Sequence, residues 1–522
     1  MAQQGKFQAI KGVRDILPPE SALWNRVEQA ARDVFATYGF AEIRLPAFEA
    51  TQVFERSLGL NTDVVSKEMY TFEDHDLQFL EWLRAEVVAR ARTAASEKDK
   101  GALIARLNTF LIQTREQIKN GMMPQTAPNA IALTRLECDL NFFAAVSDRT
   151  PREEIESMAQ NVRDTVEDIQ FGVSVTLRPE ATASVARAYI EHGMHTLPGD
   201  VKLYYMGPMF RRERPQKGRY RQFYQIGAEV LGQSDNPGID AEVIEMLLAF
   251  LDLSGLTERK VYVNSIGCRE CRPKYVELLR GELQKVKDQL GADSQRRIDT
   301  NPLRVLDSKL PEEQPLIETL PRIAEHLCED CRKHYAALKE QLKLRGIVYE
   351  ENWRLVRGLD YYMRTTFEIT APGLGSQNAV CGGGRYDGLV ELLGGPPTKG
   401  IGFALGTDRL ILALQEAGKG EAKPQLDVYV AWLGAAAYPM AVRVARTLRG
   451  AGFAVELPHE EMKFKKSLGL ADRLGARYAV ILGDDEVAAS TCTVKRLADA
   501  HQEKIAEAAL VEHLRRHSSE LL

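Results

Sequence analysis

The chain alternates between segments with helical and segments with strand-like spacing of hydrophobic residues. Residues 22–38 carry apolar side chains at helical spacing and stop at Gly39, which predicts an amphipathic helix. Its apolar face is formed by Trp24, Val27, Ala31, Val34 and Phe35. A strand-like stretch follows and ends at Pro46.

Residues 68–74 and 172–180 are rich in β-branched or aromatic residues and partly alternate, so each is predicted to form one arm of an antiparallel hairpin. Between them, residues 77–171 change to helical spacing. We interpret this stretch as a helical insertion of unknown role at the hairpin tip, where an added segment costs the host fold little. A helix pair that belongs to the main core is the alternative interpretation.

Two later regions have different patterns. Residues 255–350 are charged and rich in predicted helix. After residue 420, strand-like and helix-like segments alternate, which predicts a small α/β domain with a mainly parallel sheet.

The composition is that of a globular protein with several domains. A chain of 522 residues, 44% hydrophobic and 27% charged, is too long for a single core. Its net charge of −5 means that a nucleic acid would have to bind local basic patches. The N-terminus lacks the apolar core of a signal peptide, and no apolar run suits a membrane span. Together with an odd count of seven cysteines, this predicts a cytoplasmic protein in a reducing compartment, without membrane contact.

The most highly charged segment is RRERPQKGRYR, residues 211–221. It holds six cations and one anion between two strand-like segments, which places them on a predicted hairpin loop. So many like charges repel one another unless a polyanion lies among them, and the arginine fork binds phosphate well. A phosphate site and a solvated basic turn both fit this pattern.

Three later segments are polar or rich in glycine. LVRGLDYYMRTTFEI (355–369) is too polar for a simple core strand. CGGGRYDGLVELLGG (381–395) contains a glycine-rich loop, which lets the backbone approach a ligand closely. GIGFALGTDRLILAL (400–414) carries Asp408 and Arg409 in a predicted first helical turn, and this arginine is either a surface residue or a phosphate ligand.

Together these segments resemble the class II aminoacyl-tRNA synthetases, and among them the histidyl-tRNA synthetases. YGFAEIRLPAFEAT (38–51), GPMFRRERPQKGRYRQF (207–223) and GIGFALGTDRL (400–410) are similar to the three class motifs. LVRGLDYYMRTTFE and GGRYDGL resemble two motifs peculiar to the histidine enzymes. The resemblance covers nearly the whole chain except residues 77–171.

The resemblance implies a ligase that activates L-histidine with ATP and Mg²⁺ and esterifies it onto tRNA(His). It implies a homodimer whose interface is built by the first motif. The implied fold is α/β and α+β multidomain, with the class II antiparallel sheet core, helical insertions and a C-terminal α/β anticodon-binding domain. The expected ranges are 1–76, 172–254 and 351–420 for the catalytic core, 77–171 for the insertion of unknown role, 255–350 for a helical insertion domain and 425–522 for the anticodon-binding domain.

The resemblance also implies roles for individual residues. The implied histidine site consists of Glu180, Ala181, Thr182, Gln225, Glu229, Tyr361 and Tyr362. The implied ATP site consists of Arg211, Glu213, Arg219 and Arg409, with Arg357 and Arg211 as the catalytic residues. Arg214 and Gln216 lie where the family reads the extra 5′ nucleotide of its tRNA.

Some features depart from the family pattern. Ala181 stands where the family commonly has glycine, so the backbone there must tolerate a Cβ atom. Asp408 stands where glutamate is frequent, and the insertion has no counterpart. An inactive paralogue, such as the regulatory subunit of ATP phosphoribosyltransferase, is the alternative function. Such paralogues typically lose catalytic arginines and the C-terminal domain, both of which this chain retains.

Two CxxC pairs, Cys268/Cys271 and Cys328/Cys331, supply the right ligands for a tetrahedral Cys₄ zinc site. They are separated by 56 residues, a longer spacing than in compact zinc modules. Four reduced thiols near helix ends are the alternative. A zinc ion here would be structural and would staple the helical region at its base.

Overall fold

The computed structural model of the protein describes residues 7–59, 62, 64–74, 77–92, 97–120, 123, 125–147, 150–374, 378–420 and 426–519. The first six residues, on which the signal-peptide prediction partly rests, lie outside this part of the chain. The chain forms two compact units: Met1–Asp15 with Glu28–Ala413, and Ile16–Val27 with Leu414–Leu522. Within the described ranges, no helix is both long enough and apolar enough to cross a bilayer.

The first elements of the chain are one long helix and several short elements. They are α1 (Glu20–Thr37), β1 (Ala41–Glu42), β2 (Phe48–Ala50), α2 (Thr51–Leu58) and β3 (Tyr70–Asp74). The helix predicted over 22–38 is confirmed, and all five side chains of its predicted apolar face are buried. Gly39 follows the helix with φ of 77°, a conformation that glycine adopts without strain.

Four helices separate β3 from its partner strand. They are α3 (Gln78–Ala91), α4 (Glu97–Lys119), α5 (Ala127–Ala145) and α6 (Arg152–Glu167), and β4 (Val173–Leu177) follows them. Apolar side chains of all four helices pack into a core cluster of their own. The predicted pairing of the flanking segments is confirmed, because β3 and β4 are antiparallel with Asp74 opposite Val173. Strand β2 completes this sheet in the order β2-β4-β3.

The remaining elements of the first unit form one large sheet and the helices around it. Those before the second helix-rich region are α7 (Thr182–Glu191), β5 (Val201–Phe210), β6 (Gln222–Gly232), α8 (Pro237–Ser254) and β7 (Lys260–Ser265). That region holds α9 (Cys271–Lys285), α10 (Ala292–Thr300), α11 (Gln314–Glu318) and α12 (Glu329–Leu344). The last elements are β8 (Glu350–Glu351), β9 (Met363–Thr370), β10 (Ala379–Arg385), α13 (Leu389–Leu392), β11 (Lys399–Gly406) and α14 (Thr407–Glu416).

The large sheet has eight strands in the order β1-β5-β6-β11-β10-β9-β7-β8. Its five inner pairings are antiparallel, and only the short edge strands β1 and β8 pair in parallel. The arginine-rich segment connects β5 to β6, as the predicted hairpin loop requires. An antiparallel-dominated sheet is the architecture that the class II resemblance implies.

The second unit contains a five-stranded sheet with helices on both faces. Its elements are β12 (Leu426–Trp432), α15 (Tyr438–Gly450), β13 (Val455–Glu456), α16 (Phe464–Arg473), β14 (Ala476–Leu482), α17 (Asp484–Ala489), β15 (Thr491–Arg496), β16 (Gln502–Ala506) and α18 (Leu510–Ser519). Alternate residues of β12 face opposite sides, since Val428 packs with α15 and Tyr429 with α16. The sheet is less parallel than predicted: β13-β12-β14 are parallel, but β15 and β16 add two antiparallel pairings.

Candidate active site

A cavity of about 270 Å³ opens on the large sheet and collects residues from most of the predicted motifs. Of the residues singled out from the sequence, it is lined by Glu180, Thr182, Arg211, Glu213, Arg219, Gln225, Arg357, Tyr361, Tyr362 and Arg409. These residues come from segments far apart in the chain. The antiparallel sheet therefore brings the arginine-rich hairpin and the tyrosine-rich segment to one place.

Part of the cavity wall is formed by arginines that are held through their own side-chain contacts. Arg211 donates from Nε to the carbonyl of Pro179 at 2.9 Å. Arg409 donates from Nη1 to the carbonyl of Ala379 at 2.8 Å. Arg219 pairs with the Glu213 carboxylate, with 3.2 Å between Nη1 and Oε2. Guanidinium groups anchored in this way keep a fixed position in the cavity wall.

Arg357 reaches the same cavity from the segment before β9. Its Nη1 lies 3.1 Å from Oε2 of Glu368, and its guanidinium lies 5.8 Å from the ring centre of Tyr362. The guanidinium passes directly over Gly382, where an added Cβ atom would lie 2.1 Å from Nη2 of Arg357. This close approach explains one glycine of the CGGG segment in physical terms: any side chain there would displace the arginine.

Another part of the cavity wall is built around the N-terminus of α7. Glu180 accepts the backbone N–H of Thr182 at 2.8 Å and of Ala183 at 2.9 Å. Burial nevertheless raises the pKa of Glu180. Ala181 is buried with φ of −113°, which an alanine adopts freely, so its departure from the family glycine causes no backbone strain. Among the described residues, the buried Oε1 of Gln225 has no hydrogen-bond partner, although Gln225 lines the cavity.

Glu229 lies beneath the cavity floor and does not line it. Its Oε1 accepts the hydroxyl of Thr182 at 2.8 Å, and its Oε2 accepts the hydroxyl of Tyr386 at 2.7 Å. Burial raises the pKa of Glu229 to about 8, against the effect of these two hydrogen bonds. Tyr362, which shares the implied imidazole-binding role, lines the cavity directly. Tyr386 was not among the predicted site residues, although it belongs to the GGRYDGL motif that the sequence had singled out.

The two residues expected to contact tRNA lie on the loop between β5 and β6. Arg214 and Gln216 are exposed and do not line the cavity. The loop tip is closed by two backbone hydrogen bonds between Gln216 and Arg219, of 3.1 and 2.9 Å. Arg214 and Gln216 therefore face solvent next to Arg219, which does line the cavity.

The four cysteines of the CxxC pairs lie together. Their sulfur atoms are all within 4.8 Å of one another, with 3.8 Å from Cys268 to Cys271 and to Cys328, and 3.9 Å from Cys271 to Cys331. A tetrahedron with Zn–S bonds of about 2.3 Å has edges of about 3.8 Å. Although burial opposes it, the N–H groups of Cys271 and Glu270 bring the pKa of Cys268 down to about 7. The donor set and its spacing fit a tetrahedral metal ion.

Comparisons with known proteins agree with this geometry. The family model described as "Histidyl-tRNA synthetase" matches residues 153–410, and the one described as "Anticodon binding domain" matches residues 427–517. The first match contains every cavity residue named above. The second falls within the five-stranded α/β unit.

Relatives are similar over nearly their whole length. "Histidine--tRNA ligase" of Koribacter versatilis (strain Ellin345) is 45% identical, with 98% of this chain and 97% of the relative covered. The protein of the same name from Solibacter usitatus (strain Ellin6076) is 44% identical, with 95% and 96% covered. The crystal structure of apo S. aureus histidyl-tRNA synthetase matches with a TM-score of 0.65 and 31% identity, over 98% of this chain and 100% of that one. The regulatory paralogue is not favoured, and the chain belongs to the histidyl-tRNA synthetase family of class II aminoacyl-tRNA synthetases.

Proposed function

We propose that the protein uses this cavity to activate L-histidine with ATP and to transfer it to tRNA(His). The observation that carries the proposal is the convergence of Arg211, Arg357 and Arg409 on one cavity, which Glu180, Gln225 and Tyr362 also line. Guanidinium groups gathered around one cavity suit an anion that offers several oxygens, because each guanidinium can bind two of them. A triphosphate supplies that anion.

In the first step, a carboxylate oxygen of histidine attacks the α-phosphorus of ATP, and the bond from phosphorus to the bridging oxygen of the diphosphate breaks. The carboxylate is already a nucleophile, so no general base is needed and the protein contributes position and charge. Arg211 and Arg357 hold the carboxylate and α-phosphate oxygens together. Arg409 and Arg219 bind the outgoing diphosphate.

Histidine is recognised by the part of the cavity wall around the N-terminus of α7 and by the tyrosine-rich segment. The α-ammonium group is a donor only, and it would be bound by the acceptors of Glu180, Thr182 and Gln225. The free Oε1 of Gln225 is such an acceptor. The neutral imidazole has one N–H donor and one nitrogen acceptor. Tyr362, with Tyr361 beside it, would satisfy one of them at the cavity wall, and Glu229 would act on the other from beneath the floor through the hydroxyl of Thr182, which lines the cavity. A pocket with such partners rejects analogues lacking either group by about 10⁴–10⁵, because its own polar groups remain unpaired.

ATP brings Mg²⁺ to this site. Mg²⁺ prefers carboxylate and phosphate oxygens. Glu213 and Glu368 bring two carboxylates to the cavity wall, beside the arginines. These two residues would hold the ion, which neutralises phosphate charge when bound. In the second step, a hydroxyl of the 3′-terminal ribose of tRNA(His) attacks the histidyl carbonyl carbon, and AMP leaves. Arg214 and Gln216 would contact the extra 5′ nucleotide, with the protein acting as a cytoplasmic homodimer.

We further propose that Cys268, Cys271, Cys328 and Cys331 hold a structural zinc ion. The two pairs precede or begin α9 and α12, the first and last helices of the second helix-rich region. A tetrathiolate site without an open position has no catalytic role. It would tie the two ends of this region together.

The direct test is amino-acid-dependent ATP–pyrophosphate exchange with each of the twenty amino acids. We expect exchange with L-histidine alone. No exchange with histidine, by a protein whose thermal unfolding is cooperative, would refute the proposed activity. Exchange with another amino acid would refute the assignment of the pocket to imidazole.

A further inference from the structure

The turn that carries the first cysteine pair lies against the segment that carries Tyr361 and Tyr362 and against the one that carries Tyr386. Between its cysteines, Arg269 reaches the loop after β10, and its Nη2 lies 3.4 Å from the carbonyl of Gly388. Directly after Cys271, Arg272 donates from Nη1 to the carbonyl of Tyr362. The turn therefore contacts the GGRYDGL loop and the tyrosine-rich segment from one side.

Tyr362 needs such a contact because it lies just before β9 begins. Its carbonyl is bound by an arginine side chain instead of a neighbouring strand. Two residues later, Arg364 adopts φ of 52°, a left-handed conformation that a residue with a Cβ atom adopts at a cost. Such a conformation persists only where surrounding contacts hold it. Here the backbone of Arg364 is bonded to Ile266 and Gly267, at 2.8 and 2.7 Å.

Arg272 is itself held in place by the cysteine turn. Its backbone N–H donates to the carbonyl of Cys268 at 3.0 Å, which fixes the start of its side chain. Its guanidinium also interacts with the charge of Asp360, in the same segment as Tyr362. The side chain is thus fixed at one end by the turn and at the other by the segment that carries the tyrosine.

We propose that Arg272 is a positioning residue, which sets the place of the Tyr362 ring in the pocket and so controls affinity for histidine. This inference rests on the proposed function, because it requires histidine to bind beside Tyr362. A hydrogen bond from a charged donor is worth more than one between neutral groups. Its loss lets the segment before β9 shift, and the cost falls on histidine binding and not on ATP binding.

The chain offers a matched control. Arg332 follows Cys331 just as Arg272 follows Cys271, but its guanidinium is exposed and pairs with Glu329 on its own helix. R332M therefore removes the same charge next to the same type of cysteine pair, without a contact to the pocket. R272K keeps the positive charge and a group that can donate to the carbonyl of Tyr362, whereas R272M keeps only the aliphatic part of the side chain. Together the two variants separate the effect of the hydrogen bond from that of the rest of the side chain.

The test compares wild type, R272M, R272K and R332M. The dissociation constant for L-histidine is measured by calorimetry without ATP, and KM for histidine and for ATP by pyrophosphate exchange. We expect R272M to weaken histidine binding by roughly tenfold or more, with KM for ATP within about twofold of wild type. R272K should recover part of the loss, and R332M should match wild type.

Unchanged histidine binding in R272M would overturn the inference. So would an equal loss for histidine and ATP, which indicates general disruption of the site, or an equal effect in R332M. Failure of wild type to catalyse histidine-dependent exchange would refute the proposed function itself. An active wild type with normal histidine binding in R272M refutes only the role of Arg272.

Discussion

The hydroxyl of Tyr386 donates to Oε2 of Glu229 at 2.7 Å, beneath the floor of the cavity. Glu229 is 1% exposed, so this hydrogen bond and the one from Thr182 replace the water that the carboxyl group loses on burial. The two residues are 157 positions apart in sequence. Their contact connects the GGRYDGL segment to the residue expected to recognise imidazole.

We therefore expect Y386F to impair recognition of histidine. Removing the hydroxyl leaves one carboxyl oxygen of Glu229 without this partner, which should raise KM for histidine by about tenfold in pyrophosphate exchange. KM for ATP should change little. Y262F, which alters a tyrosine on β7 outside the cavity wall, is the control. Equal kinetics for wild type and Y386F would show that the hydrogen bond does not position Glu229.

Substitution of Gly382 should inactivate the protein without unfolding it. The atoms that a Cβ would meet at this position belong to the flexible side chain of Arg357, which can move away. We expect G382A to reduce histidine-dependent exchange by about 10²–10³, as R357A should, with a midpoint of thermal unfolding near that of wild type.

The neighbouring glycine provides the contrast. A Cβ on Gly383 would lie 2.3 Å from the backbone carbonyl of Gly402, which cannot move without disturbing the sheet. G383A should therefore lower thermal stability strongly. Full activity in G382A would contradict the catalytic role of Arg357, or the tight packing that explains this glycine.

Stability should depend on pH through Glu229. In the unfolded chain this carboxyl group titrates near 4.5, whereas burial raises its pKa in the folded protein to about 8. Between these values the folded state keeps a proton that the unfolded state releases, so the free energy of unfolding falls as pH rises. The limiting slope is about 1.4 kcal/mol per pH unit.

E229Q removes this titration. As pH rises from about 5 to about 8, the unfolding midpoint of wild type should therefore fall relative to that of E229Q. Glu180, whose pKa burial also raises, is present in both proteins and interacts with Glu229, so the comparison reports the titration of Glu229 together with that interaction. A difference that stays constant with pH would show that Glu229 is ionised throughout this range.

Deletion of residues 77–171 should leave adenylate formation intact. The four helices in this range pack into their own core cluster, and Asp74 and Val173 are already opposite each other in the sheet. An Asn-Gly turn in place of the helices should therefore close the hairpin. We expect histidine-dependent exchange within a few-fold of the full chain. A folded deletion product without exchange would show that the insertion supports the active site.

Purified protein should contain about one zinc ion per chain. C328S/C331S removes two ligands and should abolish zinc binding and lower the midpoint of thermal unfolding, because zinc binding contributes to folding free energy. C138S, which alters an exposed cysteine outside the cluster, should keep both properties. Wild type without metal, and with the same unfolding midpoint as C328S/C331S, would contradict the zinc site.

The spacing of hydrophobic residues and the clustering of charge predicted several helices, strands and hairpins. The helix over 22–38 and the pairing of β3 with β4 were predictable, because side-chain spacing reports which face is buried. The hairpin between β5 and β6 was predictable because charge marks its loop. In the second unit, the sheet was predicted to be mainly parallel. It is mixed, because β15 and β16 pair in antiparallel fashion.

Contacts between distant segments were not predictable in this way. Tyr386 lies in a glycine-rich motif, but the residue that its hydroxyl contacts depends on the register of β6, β11 and β10. Only this register brings Glu229 next to it. The same holds for Gly382 and Arg357, whose contact depends on how the segment before β9 folds back. The family resemblance singled out ten of the residues that line the cavity, but it did not indicate that Glu229 lies beneath the floor.

The position of β11 has a consequence for synthesis of the protein. This strand lies between β6 and β10 in the middle of the large sheet, yet it is the last strand of that sheet to leave the ribosome. Until then the nascent chain holds two half-sheets, each with an open edge that can pair with another chain. The large sheet of the first unit is therefore completed only by its last strand to be synthesised, and until then both half-sheets keep the kind of edge that favours pairing between chains.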